Sequence, residues 1–320
     1  MNAKHRKATL QHACAATLAF AAILSAPVGL GQTGSVYVAE YSSGTIERFD
    51  LSTATDLGAF ATGLQGAQGL TLDRAGNLYA TVGGAPSASW GIERFTPDGV
   101  GSFFASTLPW HVPPYQLAVD SADNVYAAVN DGAEGDIVRF TPGGVGSLFA
   151  TWPAAPNALV CDSAGNVYVS EFHEIEKFTP DGVGSFFASI PDNTDGLAFD
   201  SAGNLFASNW TDGTITKFTP GGVGSLFATT TSGRGTGALA FDSANNLYAL
   251  NSLDGTIEKI TPDGVDSVFA DGLGTAYSLV IQEVPEPSTL ALFSLGLAAL
   301  LAFQLATPSG RKQTALNSTD

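Results

Sequence analysis

Gly196-Leu197-Ala198-Phe199-Asp200-Ser201-Ala202-Gly203-Asn204-Leu205-Phe206-Ala207-Ser208 decides the fold of this chain. An apolar run ends on an aspartate. Ser-Ala-Gly-Asn then reverses the chain, because glycine takes positive φ without penalty and asparagine tolerates it. A second apolar and aromatic run follows at once. Two short runs joined by so tight a connection read as a β-hairpin. The hairpin recurs: Gly69-Leu-Thr-Leu-Asp73, Gln116-Leu-Ala-Val-Asp120, Ala158-Leu-Val-Cys-Asp162 and Ala238-Leu-Ala-Phe-Asp242 open four further copies. The aspartates of the five stand 47, 42, 38 and 42 residues apart. Repeats of that length belong to architectures whose units bury their apolar faces only against one another.

Working outward from the hairpin, Thr214-Ile-Thr-Lys-Phe218 reads as a third strand. Thr219-Pro-Gly-Gly222 is a turn, and Ser225-Leu-Phe-Ala228 is a fourth strand. Each unit is therefore a four-stranded antiparallel sheet. Ser278-Leu-Val-Ile-Gln282 supplies a sixth first strand, and Val36-Tyr-Val-Ala-Glu40 opens the series of six second strands. The body thus begins on a second strand and ends on a first strand. The sequence predicts an all-β, six-bladed β-propeller over residues 34–283. Its C-terminal strand pairs with the N-terminal blade, closing the ring and leaving no open seam.

Composition agrees. The chain has 320 residues, 37 of them glycine, and only 13% are charged. Net charge is −17, with 13 basic residues, five of which (Lys4, Arg6, Lys7, Arg311, Lys312) lie near the ends. The body holds 28 acidic and eight basic side chains and stands near −20. Such a surface repels nucleic acid and anionic membranes. Of the two cysteines, Cys14 lies near the N-terminus and Cys161 in a first strand, so the body can form no internal disulfide. Cys161 reads as a small core hydrophobe. Nucleophile motifs, phosphate-cradling loops and zinc spacings are absent.

The ends read as addresses. Residues 1–31 have a basic start, an Ala-rich apolar stretch and small residues before Ala26 or Gly31, as in a secretory signal peptide. Residues 284–313 join Val284-Pro285-Glu286-Pro287 to an apolar helix over 290–306 and then to Arg311 and Lys312. This order resembles the PEP-CTERM sorting signal of Gram-negative bacteria. The resemblance implies processing by signal peptidase and an exosortase-type protease. It implies export to the outer cell surface or extracellular matrix after transient membrane anchoring, with membrane contact through the terminal segments alone. An ordinary single-pass transmembrane anchor is the other reading of the apolar run.

The Gly-Leu-Ala-Phe-Asp, Gly-Asn-Leu-Tyr and Gly-Thr-Ile-Glu-Arg-Phe-Asp (44–50) elements make the body resemble the NHL, SMP-30 (gluconolactonase-like) and streptogramin-lyase-like propellers. Among lactonase and lyase relatives, acidic and amide groups near the channel mouth bind a divalent cation. The resemblance implies Ca²⁺ or Mg²⁺ here, with Glu40, Glu171, Asp195, Asn209 and Asn251 as ligands. Two of the six equivalent second-strand positions are Val82 and Val129, so these polar groups also read as the lining of a wet channel.

Chain direction alternates from strand to strand, so loops fall into two sets. The turns after first and third strands are nearly constant. The loops after second and fourth strands vary, and they hold Trp90, Trp110, Trp152 and Trp210 together with His111 and His173. Large aromatics gathered on one side mark a recognition face. Trp90, Trp110, Trp152, Trp210 and His111 are the candidate ligand-binding residues; as rings that cap the blades they would be structural. His173, between Glu171 and Glu174, is the candidate general base. The function expected is an exported propeller binding a partner, such as a polysaccharide or a protein, through its variable face. The alternative is a cation-dependent lactonase- or lyase-like enzyme.

Overall fold

The computed structural model describes residues 34–83, 90–107, 114–130, 135–152, 156–171, 173–190 and 193–283. The side chains of Asn130 and Trp152 are not among them. The expected signal peptide and sorting helix, Trp110 and His111 lie outside the described residues. Among the described residues no helix is long and apolar enough to cross a membrane.

Twenty-four strands form six sheets of four. Blade 1 holds β1 (Gly34–Glu40), β2 (Thr45–Asp50), β3 (Asp56–Thr62) and, across the seam, β24 (Ala276–Glu283). Blade 2 runs β4 (Leu70–Leu72), β5 (Leu78–Val82), β6 (Gly91–Phe95) and β7 (Gly101–Ser106). Blade 3 runs β8 (Pro114–Val119), β9 (Val125–Asn130), β10 (Gly135–Phe140) and β11 (Gly146–Trp152). In blade 4 come β12 (Ala158–Cys161), β13 (Val167–Ser170), β14 (Glu174–Phe178) and β15 (Gly184–Ser189). In blade 5 come β16 (Leu197–Phe199), β17 (Leu205–Ser208), β18 (Thr214–Phe218) and β19 (Gly224–Thr229). Blade 6 comprises β20 (Thr236–Phe241), β21 (Leu247–Asn251), β22 (Thr256–Ile260) and β23 (Asp266–Ala270). The first strands β4, β8, β12, β16, β20 and β24 each touch the next, and β24 meets β4, which closes the ring around a channel.

The expected seam pairing is present, and it is antiparallel. Val36 faces Ile281, Tyr37 faces Val280 and Val38 faces Leu279. At its end β24 reaches the constant-turn face: Gln282 Nε2 donates to the Gly76 carbonyl at 3.2 Å, and Glu283 Oε1 accepts from Ser243 N at 2.7 Å. Both partners sit in turns between first and second strands.

Each of the six apolar cores lies between neighbouring blades. The core between blades 1 and 2 packs Tyr37, Ala39 and Ile46 on Leu70, Leu78 and Phe95. Second-strand aromatics meet fourth-strand phenylalanines edge to face, as in Tyr79 on Phe104 at 4.9 Å and Phe206 on Phe227 at 5.0 Å. That geometry suits the ring quadrupoles. The outer strand pair of every blade carries a register shift after the same buried isoleucine: Ile46, Ile92, Ile137, Ile175, Ile215 and Ile257. A bulge there twists the exposed edge and disfavours pairing with another chain.

The repeated aspartate is a turn lock. Asp242 Oδ1 accepts from Asn246 N at 2.8 Å, and its Oδ2 accepts from Asn246 Nδ2 at 2.7 Å and from the Tyr248 hydroxyl at 3.3 Å. Lys259 approaches the same carboxylate at 3.8 Å. Asp73, Asp120, Asp162 and Asp200 bind their own Asn in the same way. The turn position of Gly203 has φ 80°, and Asn245 fills its equivalent at φ 59°. Replacing Asp242, which is buried, by Ala strands several donors; we expect a loss of about 2–3 kcal/mol and a lower Tm by circular dichroism. An unchanged Tm would contradict the lock.

Cys161 lies half-buried on β12 and lines the channel. Burial first, then the charges of Asp120 and Asp162, push its thiol well above the ordinary range. Iodoacetamide should therefore label Cys161 at least about tenfold faster in urea than in the folded chain, read by peptide mass spectrometry; equal rates would refute the burial.

Candidate functional site

The variable face holds a cavity of ≈ 320 Å³ at the mouth of the channel. It has a simple rule of construction. In each blade the residue just before the repeated first-strand motif points to it: Gln68, Tyr115, Asn157, Asp195, Gly237 and Tyr277. Six blades thus contribute one position each. Gln116, Pro156, Trp210 and Ser252 complete the wall. Below it the channel, a cavity of ≈ 350 Å³, is walled largely by apolar first-strand side chains such as Leu117, Leu197 and Leu279.

Close packing of the first strands shapes this mouth. A Cβ at Gly196 would strike the Gly237 carbonyl, so only glycine allows blades 5 and 6 to meet there. Gly237, in turn, leaves room beside the Trp210 ring and the Ser252 hydroxyl. The first strands of blades 5 and 6 can approach this closely because Gly196 carries no side chain.

Asp195 sits where mouth and channel join. Burial raises its carboxyl from 3.8 to about 6. The apolar shaft beneath explains this, since desolvation disfavours the charged form. Its neighbours are held firmly. The Asn193 carbonyl accepts from Trp210 N at 3.0 Å, the Thr194 carbonyl from Ser170 Oγ at 3.0 Å, and the Gly196 carbonyl from Ser208 N at 3.0 Å. Asn157 Nδ2 donates to Asn193 Oδ1 at 2.7 Å and ties the rims of blades 4 and 5 together. Such support is what a preorganised binding group needs. Ser252 is buried, and its Oγ has no hydrogen-bond partner. Buried hydroxyls are normally bonded, so this one stands ready for a ligand or water.

Of the expected tryptophans, Trp210 lines the mouth. Trp90 is partly buried, and its ring lies against Gly83 within blade 2. Trp152 ends β11 with its backbone opposite Gly135. His173 is exposed and is not part of the mouth wall; its carbonyl accepts from Ile190 N at 2.8 Å. Beside it Glu171 hydrogen-bonds Glu174, whose carboxyl is raised by burial and by that contact. Sequence reasoning missed Gln68, Tyr115, Gln116, Asn157, Ser252 and Tyr277. Aligning the repeats and scanning the column before the motif would have found four of them.

The proposed cation ligands do not share a cavity. Glu40 lines a separate cleft of ≈ 530 Å³ between blades 1 and 6, beside Glu47, Asp56 and Asp271. Both of its carboxylate oxygens are engaged, Oε1 by Gly274 N at 2.7 Å and Oε2 by Ser43 Oγ at 2.8 Å. Asn209 Oδ1 caps its loop through Thr211 N at 2.9 Å. Asn251 Oδ1 accepts from Leu253 N and Asp254 N, and its Nδ2 donates to the Arg234 carbonyl. Among the described residues no three His, Cys, Asp or Glu come together to hold a metal ion. Glu40, Asn209 and Asn251 thus spend their side-chain oxygens on backbone and hydroxyl donors. The acidic cleft is larger than the mouth, but only two blades form it.

Comparison with known proteins supports the two-part reading. The PEP-CTERM protein-sorting motif matches residues 283–304. No curated protein matches the chain. Among solved structures, the propeller is similar to a chain of a nidogen/laminin complex, with TM-score 0.63, 17% identity, and coverage of 78% of this chain and 98% of that one. It is also similar to a streptogramin B lyase, with TM-score 0.60, 16% identity, and coverage of 77% and 83%. Virginiamycin B lyase from Staphylococcus aureus gives TM-score 0.57, 16% identity, and coverage of 77% and 86%. At such identities the likeness is one of fold. The chain is a six-bladed β-propeller that ends in a PEP-CTERM motif, the mark of a protein exported and anchored through exosortase processing.

Proposed function

We propose that this exported propeller is a binding protein of the outer surface or matrix, and that its ligand is a glycan chain seated in the mouth of the channel. The convergence of Trp210, Tyr115 and Tyr277 with the amides of Gln68, Gln116 and Asn157 carries the reading. Aromatic faces cover the apolar face of a sugar ring. Amides and a free hydroxyl on the concave wall answer its hydroxyl groups. The fold does not decide the matter, since one similar structure is a nidogen/laminin complex and another a lyase.

Calorimetry of the full chain with cello-oligosaccharides tests the proposal. Trp210→Ala should weaken binding by about tenfold or more, in line with loss of a central aromatic anchor. Its Tm should move by only a few degrees, since the ring is partly exposed. Binding that ignores the substitution, or no binding to any oligosaccharide, would refute a glycan site at the mouth.

A further inference from the structure

Resting on the glycan reading, we propose that the mouth selects a sugar unit carrying a free ammonium, as in a de-N-acetylated amino-sugar polymer, with the Asp195 carboxylate as its counter-ion. Asp195 is the one carboxylate among the described residues lining the mouth, and those residues include no Lys, Arg or His. The ionisable groups facing it there are the phenols of Tyr115 and Tyr277. A desolvated carboxylate without a protein cation is costly unless a ligand supplies the charge.

The distribution of positive charge points the same way. Six of the body's eight basic residues occupy one register, opposite the second-strand aromatic: Arg48, Arg94, Arg139, Lys177, Lys217 and Lys259. Lys177, Lys217 and Lys259 lie over their aromatic rings at 5.2 Å and approach Asp162, Asp200 and Asp242 of the constant turns. Arg74 sits in such a turn and pairs with Asp123. Arg234 is the remaining one, exposed on the variable face. A body near −20 whose cations gather toward one face leaves the other attractive to positive ligands.

The rest of the wall suits an ammonium sugar. The rings of Trp210, Tyr115 and Tyr277 favour a cation over their faces. Ser252, 7% exposed and with an unbonded hydroxyl, can accept from the ammonium or from a neighbouring sugar hydroxyl. An N-acetyl group removes the charge and adds bulk, so acetylated and neutral sugars lose the pairing.

Calorimetry of the full chain tests this with glucosamine, N-acetylglucosamine and cellulose oligomers of equal length and with a lysine oligomer. At about pH 7 the glucosamine oligomer should bind roughly tenfold tighter than the other two sugars. The preference should vanish at about pH 4.5, where Asp195 is protonated and the amine still charged. Asp195→Asn should abolish it at about pH 7 as well. Equal affinities for all sugars, unmoved by Asp195→Asn, would overturn the ammonium pairing and leave the glycan site standing. No binding by any sugar would overturn both. A lysine oligomer that outcompetes every sugar through Asp195 would replace the amino sugar with a peptide ligand.

Discussion

A chain that stops at Thr275 should show no cooperative unfolding transition at all. The deletion removes β24, which is both the first strand of blade 1 and the contact between blades 6 and 2. Val36 and Val38, now fully buried, lose Ile281 and Leu279. The Ser278 hydroxyl, which accepts from Leu70 N at 3.1 Å, is lost to blade 2. Removing or uncovering Val36, Val38, Ala276, Leu279, Val280 and Ile281 forfeits about 10 kcal/mol of apolar burial. That is as large as the whole stability of a typical domain, roughly 5–15 kcal/mol. A chain stopped after Glu283 keeps the seam and should melt like the full body. Circular dichroism melts of the two truncations decide the matter. A sharp transition in the shorter chain, within a few degrees of the longer, would mean that β24 does not hold the ring closed.

The second large effect is a gain. Asp195→Asn should stabilise the protein at about pH 7.5 by roughly 2–3 kcal/mol and by nothing at about pH 3.5. Folding raises the Asp195 carboxyl from 3.8 to about 6. The folded chain therefore holds this proton more tightly than the unfolded one. Stability is greatest below the unfolded value, falls as pH rises between the two, and is fully reduced above the folded value. Asparagine has the same shape and no charge to desolvate, so it escapes the penalty. Urea denaturation at both pH values measures it. Equal stabilities of wild type and variant at both would show that the carboxyl is solvated. A residue that weakens its own fold at neutral pH is characteristic of a site that is completed by something else.

Asp242 and Asp195 show why one part of this protein could be read from its sequence and another could not. Asp242 belongs to a motif that recurs in five of the six blades, and repetition exposes a structural role: each copy binds the Asn four residues on. The closure was equally legible, because six first strands and six second strands, offset by one, leave one pairing open at each end. Asp195 occupies a column in which no two blades agree except through their tyrosines. Adding it to Glu40, Glu171, Asn209 and Asn251, which share a second-strand position, joined Asp195 in the mouth to Glu40 in another cleft and to Asn209 and Asn251, whose amide oxygens cap their own loops. Ser252 gave no signal either, since a missing hydrogen bond is a property of packing. The bulges after the six isoleucines were also hidden; they depend on how an edge strand twists, not on composition.

The direction of β24 carries one more implication. The last described residue, Glu283, is pinned beside Ser243, and Gln282 beside Gly76, on the side opposite the mouth. Whatever leash residues 284–320 provide is therefore fastened to the underside of the disc. The mouth therefore lies on the face away from the point where residues 284–320 attach. A cut just past Glu283 would release the disc without unlatching its ring.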